Sequence, residues 1–285
     1  MSKGPVVVAV LSHRDPPLLA RLVDRILEGD NTVALIHHDP RSQPHGIPLG
    51  DRVRAVPDAR PCDWGRMSLA LGMTRTFAAA QAQVPDLEWL LLISGQDYPV
   101  RHLRDVEADL DASGADAMLR YFRVDPRPGH DEHPWQTRCR QRYLHRLRIP
   151  RSRRSMPFPR RHPFGAGTDL FIGDMWVNLR ASALDHVLEQ ERRRGDLTAY
   201  FDRCSVPDEA YVPTLLLNDA DELRVECARK RYIDWTPGEP HPRTLDLRDL
   251  PATTGSSDYF ARKVDSATSA TLLTALDDAA RTMPR

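Results

Sequence analysis

The apolar run Leu90-Leu91-Leu92-Ile93 stops at Ser94-Gly95-Gln96-Asp97, so a buried strand delivers one carboxylate to its C-terminal edge. An acid so placed holds a diphosphate through a divalent metal when a second acid stands two residues away, and that partner position is Gly95. A diphosphate at this edge therefore needs positive charge from elsewhere, and two protein cations can supply it without metal, Arg as a bidentate fork and Lys as a point charge. Candidates are Arg243, after His241-Pro242, and the Arg262-Lys263 pair, anchored by Tyr259-Phe260. Asp208-Glu209 follow Ser205 and Pro207, where acids either complement a helix dipole or present a base to an acceptor hydroxyl. Trp235 reads either as core packing or as a flat platform for a sugar face, and Arg243 as either a ligand cation or a solvated side chain.

These side chains need a frame, and the hydrophobic pattern supplies one. Residues 5–12 and 31–39 read as short buried strands, 16–29 and 65–83 as helices, 52–58 as a third strand and 87–97 as a fourth. The alternation predicts an α/β domain with a mostly parallel central sheet flanked by helices. Ligands in such sheets sit beyond the carboxyl ends of the strands, which puts Ser12-His13, His38-Asp39 and Gln96-Asp97 along one rim. Further on, 115–124 and 167–180 read as strands, 181–195 and 207–219 as helices, 236–258 as a loop over the rim, and 266–283 as a closing helix. Residues 138–161 hold ten arginines, no acid and prolines at 150, 157 and 159, and read as a loop-rich excursion. One domain is expected, its nucleotide-binding half about 1–124 and its acceptor half about 125–285.

Composition narrows the function classes. In 285 residues, 41% are hydrophobic and the net charge is zero, so a core is available and no polyanion partner is indicated by bulk charge. Three lysines stand against thirty-seven arginines, the imprint expected of a GC-rich genome. Cys62, Cys139, Cys204 and Cys227 have no metal-ligand spacing and read as thiols in a reducing compartment. The N-terminal apolar run is too short for a signal or membrane span, so a cytoplasmic protein without an integral membrane segment is expected. The arginines of 138–161 offer a nucleic-acid-binding alternative, opposed by sparse aromatics and the zero net charge; they also fit an acidic acceptor site or a solvated loop.

Taken in order, the motifs Val6-to-Ile26, Leu35-Ile36-His37-His38-Asp39-Pro40, Trp64-to-Gly72, Leu92-to-Val100, Gly167-to-Glu189, Ser205-to-Leu216, Arg231-to-Leu245 and Ser257-to-Asp265 resemble the core-2/I-branching N-acetylglucosaminyltransferases and peptide O-xylosyltransferases, glycosyltransferase family 14. The resemblance implies a GT-A fold and an inverting, metal-independent transfer from a UDP-sugar, with N-acetylglucosamine first and xylose second. It implies Glu209 as catalytic base, Arg243 and Lys263 on the diphosphate, and Asp97 at the nucleotide, with Ser12 and Asp39 on the same rim. Trp235 and Arg142 fall on the acceptor side, and Asp208 is placed with them. No divalent metal is expected. A bacterial member is implied, acting on a glycan, peptide or other small-molecule acceptor; a catalytically idle binding module is the contrasting reading. Departures from the family are expected in the animal enzymes' anchor and disulfides, neither of which the sequence shows, in Pro237 where some members carry an aromatic, and throughout 125–161.

Overall fold

The computed structural model describes residues 4–125, 134–149, 152, 154–158, 161–165, 167–236 and 241–282. The first half alternates as its periodicity requires: β1 (Val6–Ser12), α1 (Pro16–Ile26), β2 (Thr32–His38), β3 (Val53–Ala55), α2 (Met67–Gln83), β4 (Trp89–Ser94), β5 (Asp97–Pro99), α3 (Leu103–Ala112) and β6 (Ala117–Val124). Next come α4 (Pro134–Leu144), β7 (Arg146–Arg148), β8 (Ser155–Pro157), β9 (Leu170–Arg180), α5 (Ala181–Arg193), α6 (Gly195–Phe201) and α7 (Tyr211–Leu217). The chain closes with β10 (Val225–Glu226), β11 (Arg231–Ile233), α8 (Leu250–Thr254), β12 (Phe260–Arg262) and α9 (Ala270–Thr282).

Seven strands form the central sheet in the order β10-β6-β9-β4-β1-β2-β3. β1 runs parallel to both β2 and β4, and β2 to β3, while β9 lies antiparallel between β4 and β6. The expected mostly parallel sheet is thus present, with β9 inserted in reverse. Successive side chains of β1 and β4 point to opposite faces. Val7, Ala9, Leu90 and Leu92 pack toward α2, α5 and α7, whereas Val8, Val10, Leu91 and Ile93 pack toward α1, α3 and α9. Burial on both faces explains the unbroken apolar runs, and each such Val or Leu stabilises the fold by roughly 1.5–3 kcal/mol.

A second sheet, β11-β12-β5, stands at the carboxyl rim of the first. β5 leaves the end of β4 and pairs antiparallel with β12, placing Arg262 opposite Asp97; β11 pairs parallel on the other side, placing Ile233 opposite Arg262. This small sheet ties the C-terminal motif to the end of β4 at Ser94-Gly95-Gln96-Asp97.

Four expectations change. The Arg-rich stretch is no simple loop: it holds α4 and the β7–β8 hairpin, with Arg151, Arg153 and Arg160 outside the described residues. The expected helix over 207–219 is a 3-10 turn, Pro207–Glu209, followed by α7 from Tyr211. The loop over 236–258 contains a 3-10 turn, Leu247–Asp249, and α8. α3 was absent from the sequence reading.

Candidate active site

The rim of the central sheet encloses a cavity of about 340 Å³. Ser12 and His13 reach it from β1, His37 and Asp39 from β2 and its exit, Cys62 to Trp64 from the loop before α2, and Ser94 and Gln96 from the end of β4. Met175 and Trp176 of β9 and Arg262 of β12 close the far wall. Ser12 and Asp39 therefore lie where the sequence placed them. Both already have partners: the Ser12 hydroxyl is 3.2 Å from His38 Nδ1, and Asp39 accepts from Arg41 Nη2 at 2.8 Å and the Cys62 amide at 3.0 Å. The Arg41 hydrogen bonds hold Asp39 well below the usual carboxylate range, so it is a fixed anion.

Asp97 is placed differently from the expectation. It is fully buried and does not line the cavity. One carboxylate oxygen accepts from the Ser94 amide at 2.7 Å and Arg262 Nη1 at 2.9 Å; the other is 3.5 Å from Arg231 Nε. Direct contact with a nucleotide is closed to it, and what it contacts is two arginines. A side chain at position 95 would be tight, since a Cβ there would lie 3.2 Å from Ser12 Oγ and the hydroxyl would have to give by a few tenths of an ångström. Among the described residues no group of three or more His, Cys, Asp or Glu side chains is arranged to hold a metal ion.

The two expected diphosphate cations also divide. Arg243 is engaged on both sides: its Nη2 donates to Asp234 and to Asp249, each at 2.6 Å, and its backbone amide donates to the Asp234 carbonyl at 3.0 Å. With two carboxylates on one guanidinium, Arg243 staples Asp234 to Asp249 and lines neither cavity, so the structure holds its charge on the protein rather than at the expected diphosphate position. Lys263 makes no ion pair among the described residues; burial first, then Arg14 and Arg262, lower its pKa. Arg262, a candidate cation beside Lys263 that the family resemblance left without a role, lines the cavity. It stacks on Trp176 at 4.3 Å from the ring centroid. The signal for it was the pairing of β5 with β12, visible only once the chain is folded.

A smaller cavity of about 150 Å³ adjoins the first through Trp64, Met175, Trp176 and Arg262, which line both. Its other walls include Asp174, Asp208, Glu209, Trp235 and His241. The Pro207–Glu209 turn is aimed here by Val206, which takes a left-handed conformation (φ 56°). The Val206 amide donates to the Gly65 carbonyl at 3.1 Å, and its carbonyl accepts from the Tyr143 hydroxyl at 2.6 Å. Gly65 itself sits at φ 70°, a conformation that suits glycine.

Glu209 lines this chamber, its side chain 42% exposed and 3.2 Å from Arg142 Nη1. Crowding by protein and the neighbouring Asp208 charge push it up to about 7, against the opposing pull of Arg142. Asp208 is buried, its Oδ1 has no hydrogen-bond partner, and desolvation raises it to about 6. Asp174 is paired with Arg229. Trp235 is 52% exposed, so it is not core; Trp64 is 66% exposed and meets His241 edge-on with centroids 5.8 Å apart. The structure thus brings Glu209, Asp208, Arg142 and Trp235 together, adds Trp64 and Asp174, and places Ser12 and Asp39 next door. Pro237 lies outside the described residues. A carboxylate near neutrality, flanked by exposed tryptophans and joined to a larger cavity at a sheet rim, can take a proton from a hydroxyl while a ligand held next door is attacked.

The family model described as Branch, Core-2/I-Branching enzyme, matches residues 31–256. No curated protein matches the chain. No helix among the described residues is long and apolar enough to cross a membrane.

Proposed function

Because the chain belongs to the Core-2/I-Branching enzyme family, and so is a glycosyltransferase of the GT-A type, we propose that it moves a sugar from a UDP-sugar to an acceptor hydroxyl in one inverting displacement that needs no divalent metal. Glu209 removes the acceptor proton as the acceptor oxygen bonds to the anomeric carbon. The bond from that carbon to the β-phosphate oxygen breaks, and the nucleoside diphosphate leaves with the electron pair. Trp235 stacks on the acceptor sugar, with Asp208 and Arg142 beside the base. Lys263 meets the phosphates, with Ser12 and Asp39 on the wall of the nucleotide cavity. N-acetylglucosamine is the first donor sugar to test and xylose the second.

The observation that carries this reading is the position of Glu209: a carboxylate raised to about 7, in a chamber that shares a wall with the rim cavity. A base whose affinity for a proton is near the working pH is well matched to proton removal. The support for a metal-free course is chemical: the strand-end acid that would serve a metal clamp is already neutralised by Arg231 and Arg262. A panel of nucleotide sugars, scored by released diphosphate with and without EDTA, tests both parts. Turnover of a UDP-sugar at equal rate in EDTA is the expected result, and a strict requirement for Mn²⁺ or Mg²⁺ would sink the metal-free course.

A further inference from the structure

Among the described residues, four side chains line both the rim cavity and the Glu209 chamber, and of these four Arg262 alone is charged. The bond that breaks in the proposed transfer joins a sugar facing Glu209 to a phosphate in the rim cavity, so it lies against this shared wall. There the leaving diphosphate gains one negative charge as the acceptor proton passes to Glu209. Arg262 is fixed for that position: Trp176 supports its plane, and Ser94 Oγ (2.7 Å) and Asp97 (2.9 Å) hold one end of the fork.

An arginine paired with an aspartate has little net charge to offer. The buried floor resolves this. Arg231 has a side chain with no exposure, donates to the Leu92 carbonyl, stacks at 5.2 Å on both Trp176 and Phe260, and reaches the second Asp97 oxygen at 3.5 Å. Its Nε and Nη1 have no hydrogen-bond partner, a costly state for a buried cation. One carboxylate between two guanidiniums leaves one positive charge in excess, and only Arg262 faces the cleft. The nearby Asp174 does not cancel it, being paired with Arg229.

Resting on the proposed transfer reaction, the geometry points to Arg262 as the cation that meets the departing β-phosphate, and to buried Arg231 as a positioning residue that neutralises Asp97 so that the charge of Arg262 stays available to the cleft. Arg231 touches no substrate; it acts through Asp97.

UDP and UMP binding, measured by calorimetry in EDTA, separates this inference from the reading beneath it. Wild-type protein that binds neither nucleotide without metal overturns the metal-free reading and this inference with it. If wild type binds UDP, Arg262→Met weakens UDP about 10- to 100-fold, the loss of a charge-assisted contact, while UMP changes less than about twofold. The turnover number falls by about 10²–10³-fold, the scale for losing a group that stabilises developing charge. Arg231→Met shifts the UDP-to-UMP affinity ratio in the same direction, and Asp97→Asn/Arg231→Met restores it. Rescue by the double variant is not expected of a residue needed only for packing. Should Arg231→Met fail to fold, the double variant and Arg262→Met decide the matter. An unchanged UDP-to-UMP ratio in Arg262→Met, or a double variant that folds but keeps the weakened ratio, overturns the inference and leaves the transfer reaction standing.

Discussion

Glu209 is the group whose ionisation sets the working pH of the proposed chemistry. With its pKa raised to about 7 by burial and Asp208, the reactive carboxylate form gains population as pH rises through that value. The kcat/KM of the best donor–acceptor pair is therefore expected to climb from pH 6 to 8 and level off above. Glu209→Gln is expected to cost about 10²–10⁴-fold in rate and to flatten the acidic limb; near-normal turnover in that variant would remove Glu209 from the role. The same scale explains why the pairing of Arg243 is invisible in sequence. Its neighbours in the chain, Pro242 and Thr244, say nothing of Asp234 and Asp249, which converge on it only in the folded chain. Two carboxylates turn a candidate ligand into a clasp. Arg262 is the converse: one of two adjacent candidate cations, singled out from Lys263 by a strand pairing that no local pattern records.

At the scale of elements, the base depends on a docking contact between two distant turns. The Gly65 carbonyl receives the Val206 amide, and one residue to either side stand Trp64 and Pro207, so the aromatic wall and the acidic turn are held in register. Gly65→Ala forces a side chain into a left-handed backbone at a cost of about 1–2 kcal/mol, with space for the Cβ itself, whose nearest neighbour is 3.7 Å away. Chemical denaturation should show that loss, and transfer activity under folding conditions should fall further than the unfolded fraction explains. Activity that only tracks the folded fraction would show that the two turns are not mechanically linked. Elements marked by an unbroken apolar run, β1, β2 and β4, or by helical spacing and composition, α1 and α2, were legible with small boundary errors. α4 was not, because its arginines leave only Cys139, Tyr143 and Leu144 as buried apolar anchors, too few to show a face. The break before α7 had a signal in Pro213: it lacks an amide hydrogen and fits the first turn of a helix beginning at Tyr211 better than the middle of one beginning at Pro207.

For the whole molecule, the two acids of the Pro207–Glu209 turn, Asp208 buried and Glu209 partly exposed, work against the fold at neutral pH. Asp208 and Glu209 bind protons more tightly folded than unfolded, so the stability they allow is full below about pH 4 and is lost as pH rises through about 6 to 7. Asp208→Asn removes one such group and should raise the unfolding free energy by about 1–3 kcal/mol at pH 7.5, with the gain vanishing near pH 4. Thermal unfolding across that range checks it, and a gain independent of pH would assign the effect to packing. The candidate site as a whole was half visible in sequence: the base, Trp235 and the rim residues were, whereas the cation floor was not, since it needs β5, β11 and β12 in one sheet. Arg142 has a further consequence. It comes from α4, in the stretch least like the family, yet it is the cation that opposes the rise in Glu209. A change at Arg142 on α4 therefore also resets the acidity of a base carried on a turn 67 residues away in the chain.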